Sequence, residues 1–369
     1  MRSFTCLIVL TALVTLAQSK GSAQTVASRG APTWNSAAAE RYLDARAEWW
    51  VTWKDSQRDH GSVCVSCHTM LPYVFSRPVL RRELHQSALS PSEQIILASV
   101  QKRVSLWNEV QPYYLDEKFG PRKSIQSRST ESVLNALVLS SRDAGRNEFS
   151  ALTRKALDAA WALQLQSGES AGAWDWQVFD LAPWESADSQ YQGATFMALA
   201  VAWGPKNYRD SGQIQPNLQL LRSYLKRELA QEPLLNRAVL LWATSNWPDL
   251  LASDDRRQLA DQLIAQQRAD GGWNLASLGS WTRSDHTPED ASSDGYATAI
   301  ATLALKQFSA AQFKDSWKKG RKWLETHQRD DGSWRAYSLN KTRDPDSNVG
   351  HFMSDAATSY AVLALASAR

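Results

Sequence analysis

The late part of the chain repeats itself, and the repeat limits the fold more than any other feature. Gln267-Arg268-Ala269-Asp270-Gly271-Gly272-Trp273 returns 61 residues on as Gln328-Arg329-Asp330-Asp331-Gly332-Ser333-Trp334. At the same offset Ser293-Asp294-Gly295-Tyr296-Ala297-Thr298 is answered by Ser354-Asp355-Ala356-Ala357-Thr358-Ser359. A looser copy runs from Gln166-Ser167-Gly168 through Ala173-Trp174 to Ser189-Gln190-Tyr191-Gln192-Gly193-Ala194-Thr195. A unit recurring in register is one supersecondary element that buries its apolar face only against its neighbours. The segment before each Gln is amphipathic and charged, as in 256–267 and 314–328, which reads as a helix with one face in solvent. The segment after each Trp is almost without charge, as in 194–203, 297–305 and 356–366, which reads as a helix buried all round. Outer and inner helices therefore alternate. Further helices fit 131–141, 216–231 and 234–245, and no stretch shows sustained period-two alternation.

The repeated Gln-x-x-x-Gly-x-Trp element, flanked by such helices, resembles the QW motif of squalene and oxidosqualene cyclases, within the terpenoid cyclase and protein prenyltransferase superfamily. The resemblance covers residues 128–369. It implies an α/α toroid, a ring of inner helices inside a ring of outer ones, in which the Gln caps a helix end and stacks on the Trp. It also implies an apolar, isoprenoid-like ligand in a central cavity. Cyclases of this kind protonate an alkene or epoxide from an Asp at the start of an inner helix, in D-x-D-D-T-A or S-D-C-T-A settings. Ser293-Asp294-Gly295-Tyr296-Ala297-Thr298-Ala299 is similar to the second, with two more residues before Thr-Ala, and no D-x-D-D occurs in the chain. The zinc prenyltransferases of the superfamily need a Cys in the toroid, and residues 128–369 have none.

The N-terminus carries a different signal. Arg2, an apolar run from Cys6 to Ala17, and small residues up to Ala23 read as a secretory signal peptide over residues 1–23, too short to span a bilayer as a helix. Export to the periplasm or outside the cell is expected. With Cys6 in the signal, the mature chain has two cysteines, in Cys64-Val65-Ser66-Cys67-His68. Two thiols at this spacing can add to the two vinyl groups of a haem, and the next residue, His68, reaches the iron, which makes the run a c-type haem attachment signature. The rivals are a structural or redox Cys pair, for which no βαβ setting is evident, and zinc, for which no second Cys/His pair follows. The sixth iron ligand is open: His85 leads a set that includes His60, His351 and Met353, and a five-coordinate iron is equally compatible.

Composition narrows the function classes. Lys and Arg total 41 against 38 Asp and Glu, so no global field holds a polyanion and nucleic acid is not an expected partner. The chain has 17 Trp, more than its 10 Tyr or 9 Phe. Trp34, Tyr42, Trp49, Trp50 and Trp53 precede the haem motif and suit an apolar pocket wall, while Trp174, Trp176, Trp184 and Trp281 fall in loops leading to inner helices. Glu131, Asp188, Asp294 and Asp355 stand at inner-helix starts, where a carboxylate caps orphan N–H groups or, facing a shared cavity, serves as an acid. Asp294 and Asp355 are the candidate catalytic acids. The expected fold is all-α: a signal peptide (1–23), a small helical c-type haem segment (24–127) and an α/α toroid (128–369). The expected function is electron transfer or redox chemistry linked to an apolar ligand, with a redox partner protein. The alternatives are a terpene cyclase or isomerase using an inner-helix Asp, and a non-catalytic binding scaffold.

Overall fold

The structure, a computed structural model, describes residues 34–366; the expected signal peptide lies outside them. The helices are α1 (Ser36–Thr52), α2 (Met70–Glu83), α3 (Pro91–Ser105), α4 (Asp116–Phe119), α5 (Lys123–Asp143), α6 (Ala151–Ala162) and α7 (Ser189–Ala202). They continue with α8 (Lys206–Arg209), α9 (Gln215–Glu228), α10 (Leu234–Ala243), α11 (Ser253–Ala265), α12 (Gly295–Leu305), α13 (Ala311–Thr326) and α14 (Phe352–Leu365). A two-residue hairpin, β1 (Gln57–Arg58) with β2 (Ser62–Val63), precedes the Cys motif. Among the described residues no helix is long and apolar enough to cross a membrane.

Burial sorts the helices into two layers. Every residue of α12 is buried, and so is nearly every residue of α7, α10 and α14, while α9, α11 and α13 bury one stripe each. The inner helices close a ring: α2 packs on α5, α5 on α7, α7 on α10, α10 on α12, α12 on α14, and α14 on α2. Around them lie α1, α3, α6, α9, α11 and α13. The architecture is an α/α toroid, and the segment before residue 128 belongs to it. Helices α1, α2 and α3 supply two outer members and the inner helix that closes the circle, and residues 34–366 belong to one compact unit.

The Gln and Trp of each repeat tie neighbouring outer helices together. Gln267 Nε2 donates to Gly271 O (2.8 Å) and to Ser316 O on α13 (2.9 Å), and Ser316 Oγ donates back to Gln267 Oε1 (2.8 Å). Gln328 repeats this across the chain's full length, donating to Gly332 O and Asn35 O and accepting from Asn35 N–H at the start of α1. In the first copy the residue doing this is Gln164, two positions before the Gln that the sequence pattern suggests: its amide bonds Gly172 O, Asn217 O and Asn217 Nδ2. The turn there is longer, which shifts the Gln relative to the Gly and Trp. The indoles of Trp174, Trp273 and Trp334 are fully buried and donate to Ala160 O, Leu263 O and Leu324 O. Gly172, Gly271 and Gly332 share a φ of +98, +89 and +92°, open to glycine at little cost. A Cβ on Gly332 would lie 2.2 Å from Ala38 O, so this turn also permits close approach to α1.

Aromatic side chains meet inside the inner ring. Trp184 meets Tyr296 (centroids 5.8 Å apart), Tyr296 meets Tyr360 (5.5 Å), Tyr360 meets Trp242 (6.0 Å), Trp242 meets Trp203 (6.1 Å) and Trp203 meets Phe75 (5.0 Å). Two of these contacts skip a ring neighbour, Tyr360 of α14 with Trp242 of α10 and Trp203 at the end of α7 with Phe75 of α2, so the aromatic side chains reach inward past the adjacent helix. Beyond these aromatic contacts, toward the C-terminal ends of the inner helices, the axis opens into a cavity of about 650 Å³ lined by Phe75, Trp203, Trp242 and Leu303.

Candidate functional site

The Cys motif enters α2 at the end of the ring where the inner helices begin. Cys64 is pinned from both sides: its N–H donates to Ser56 O (2.8 Å) and its carbonyl accepts from Trp50 Nε1 (2.8 Å). Ser66 Oγ then accepts from the N–H groups of Thr69 (3.3 Å) and Met70 (3.1 Å), which satisfies donors left open at the start of α2. Both cysteines are buried and unlinked. Burial pushes the Cys64 thiol up to about 11 and that of Cys67 well above its usual range, so both are neutral thiols, unlike the activated thiolate of a redox pair.

His68 is oriented by a buried relay. Its Nδ1 lies 2.8 Å from Thr69 Oγ1, and Thr69 Oγ1 donates its own proton to Asp355 Oδ2 at 2.8 Å. The Thr oxygen therefore accepts from His68 Nδ1–H, and Nε2 is left as the bare lone pair. Asp355 is fully engaged, its Oδ1 accepting from Arg46 Nε (2.8 Å) and Tyr42 OH (2.9 Å). Burial, with the Arg46 charge nearby, lowers the His68 pKa to about 3, so the imidazole is neutral. Phe352 stacks on one face of the ring at 3.7 Å, and Trp50 meets it edge-on at 5.1 Å.

Cys64, Cys67 and His68 all line one cavity of about 280 Å³, walled by rings that include Trp50, Tyr113 and Phe179. An open cleft of about 610 Å³ shares Trp50, Trp53, Tyr113, Tyr114 and Phe119 with it. On the other side of Phe352 a smaller apolar cavity of about 100 Å³ again includes His68, with Trp184 and Met353. Among the described residues several polar groups line these two cavities without partners, the Tyr113 hydroxyl and Trp184 Nε1 among them. Gln177, 2% exposed, has neither its amide N nor its O bonded. Glu185 lines both cavities, and burial raises its carboxyl to about 7 against the opposing charge of Lys123. No motif marks either residue; the one signal in the sequence is position, in the Trp-rich loop leading to α7.

The other candidates separate on inspection. His85 is exposed past the C-terminal end of α2, whose 14 residues set it about 20 Å from His68. At that separation it cannot share an iron with His68, contrary to the expected role as distal ligand. His60 is exposed beside Asp59, His351 bonds Tyr42, and Met353 alone of that set shares a cavity with His68. The acids expected at the inner-helix starts do not confront one another, and Glu131 lies in the third turn of α5 instead of at its start. Glu131 is held by Arg103 at 2.5 and 2.9 Å, Asp355 by Arg46, and Asp188 accepts from Ser186 Oγ. Asp294 caps α12, accepting from the N–H groups of Tyr296 and Ala297 (2.9 Å each) and Leu275 (2.7 Å), although burial raises its carboxyl to about 7. Both candidate acids, Asp294 and Asp355, thus hold the fold with all their bonds. Of the upstream aromatics, Trp50 and Trp53 wall the cavity, while Trp34 packs on Trp334 at 6.0 Å.

No family model matches the chain, and no curated protein matches it. Among solved structures, the fold is similar to that of the unsaturated glucuronyl hydrolase from Bacillus sp. GL1, at 10% identity and a TM-score of 0.52, over 90% of this chain and 96% of that one. It is also similar to the type II terpene cyclase MstE from Scytonema (14% identity, TM-score 0.44, 89% and 98% covered) and to a polysaccharide lyase (14%, 0.45, 90% and 99%). The likeness to the glucuronyl hydrolase shows a shared α/α toroid fold.

Proposed function

We propose that Cys64 and Cys67 hold a covalent haem with His68 as its axial ligand, set into the wall of the toroid, and that the site exchanges electrons with an apolar molecule at the adjoining mouth. The observation that carries this reading is the convergence of both neutral thiols and the oriented imidazole on one aromatic cavity, with His68 Nδ1 bound through Thr69 to Asp355. A metal-binding histidine is fixed in this way, its second nitrogen donating to an outer partner that sets the tautomer. The orphaned amide of Gln177 in the same cavity also fits a bound group with polar edges. Haem would supply one-electron exchange at its iron. The chain's own contributions are separate: the thiols anchor, Nε2 of His68 presents its lone pair, Arg46 and Asp355 hold the relay, and Trp50 and Phe352 exclude water. An exported location and a redox partner protein complete the proposal.

The test is a visible spectrum of the full chain produced together with haem-attachment machinery. The native protein should be coloured, and His68→Ala should keep its colour while its spectrum shifts and responds to added imidazole. An identical spectrum in His68→Ala would remove His68 from the iron.

A second reading is favoured by Glu185. A carboxyl protonated up to about pH 7 at the edge of two apolar cavities is suited to general acid catalysis on an apolar, isoprenoid-like ligand without haem. In that case the acid is Glu185 in place of Asp294. Glu185→Gln would then abolish turnover, and Cys64→Ser would leave it intact.

A further inference from the structure

We propose that Arg343 anchors the oxyanion head of an amphiphilic ligand whose apolar body enters the small cavity beside His68. Arg343 lines two spaces at once. One is a polar cleft of about 370 Å³ at the mouth of the toroid, and the other is the apolar cavity of about 100 Å³ bounded by His68, Trp184 and Phe352. Ser338 and Gly350 belong to both, so the spaces adjoin.

The charges of the cleft are unequally matched. Arg283 is paired with Asp290 at 2.6 Å and Arg329 with Asp331 at 3.7 Å. Arg335, Lys341 and Arg343 have no carboxylate partner among the described residues, and the cleft offers them only Asp346. Arg335 lies over the Tyr337 ring at 5.1 Å and is exposed, as is Lys341, so water serves both. Arg343 differs: it is half-buried, makes no hydrogen bond, and its burial lowers its pKa with no anion to offset the cost. A half-buried guanidinium with no carboxylate partner presents its planar fork of donors to a carboxylate or phosphate. An anion at Arg343 meets a cationic rim on one side and an apolar opening on the other, which selects a molecule with one charged end. This inference concerns ligand binding and stands whether or not haem is bound.

Calorimetric titration of the purified full chain with dodecanoate, dodecyl phosphate and dodecanol, each below its micelle concentration, tests the assignment. At least one of the two anions should bind about tenfold or more tightly than dodecanol, and the tighter one names the head group. Arg343→Gln should erase that advantage and leave dodecanol binding unchanged, while Arg343→Lys should restore part of it. Equal affinity for the alcohol and both anions, no binding of either anion, or an equal loss for all three probes in Arg343→Gln would each overturn the proposal.

Discussion

Glu185 differs from Glu131, Asp294 and Asp355 because no donor among the described residues bonds its carboxyl. Glu131 and Asp355 face arginines brought by α3 and α1, and Asp294 faces three backbone N–H groups, whereas Glu185 has only the distant charge of Lys123. Its carboxyl rises from 4.5 to about 7. The native state therefore holds a proton that the unfolded chain has already released, so stability is fullest below about pH 4.5 and falls as pH rises through about 7. Between those limits the loss should be on the order of 2 kcal/mol. Glu185→Gln should reduce this slope and leave the share of Asp294 and Glu232, whose carboxyls burial also raises to about 7, as read from denaturant midpoints at several pH values; a slope unchanged in the variant would mean that Glu185 reaches water. None of this was legible in the sequence, where the acids at inner-helix starts stood out and Glu185 did not. Helix position is written in the chain, but the partner that neutralises a carboxylate comes from a helix tens to hundreds of residues away.

Each repeat joins its helices by the same device, yet the joints differ in what they leave exposed. Gln267 bonds Ser316, which is 3% exposed, whereas Gln328 bonds Asn35, which is exposed. Removing the amide strands a buried hydroxyl and carbonyl in the first case and water-accessible groups in the second. Gln267→Ala should cost about 2–3 kcal/mol and Gln328→Ala about 1 kcal/mol, measured by chemical denaturation. The reverse order would show that closure at α1 is the more strained joint. The alternation of charged and chargeless helices was readable from 189 onward because α7, α12 and α14 carry almost no charge. Helix α2 hid its inner position: it contains Arg77, buried and paired with Glu40 and Asp44 of α1, and it lacks the Ala-rich pattern of the others. The Gln of the first copy was misplaced by two residues because a lengthened turn breaks the Gln-to-Gly spacing, although the Trp and the glycine keep their roles.

At the scale of the molecule, the segment bearing Cys64 and Cys67 and the repeats form one ring, because the last repeat closes on the first outer helix through Gln328 and Asn35. Two of the buried ion pairs at the mouth, Arg46 with Asp355 and Arg103 with Glu131, also cross the 127/128 boundary that the sequence suggested. Residues 128–369 alone should therefore not fold, since they lack α1, α2 and α3 and would expose the flanks of α5 and α14. The full chain should unfold in one transition followed by both near-ultraviolet and far-ultraviolet dichroism. A folded, cooperative fragment from residue 128 would contradict the closed ring.

The abundance of Trp follows from the same architecture: some indoles lock the repeats, some meet inside the inner ring, and Trp50 and Trp53 wall the cavity of the Cys motif. The claim that this cavity holds a covalent haem is tested most directly by the intact mass of the exported protein, made with haem-attachment machinery and stripped with acidic acetone. The account predicts the mass of the chain plus one haem, localised by fragmentation to the peptide bearing Cys64 and Cys67 and lost in the double Cys→Ser variant. The bare mass of the processed chain, with both thiols free to alkylation, would contradict it.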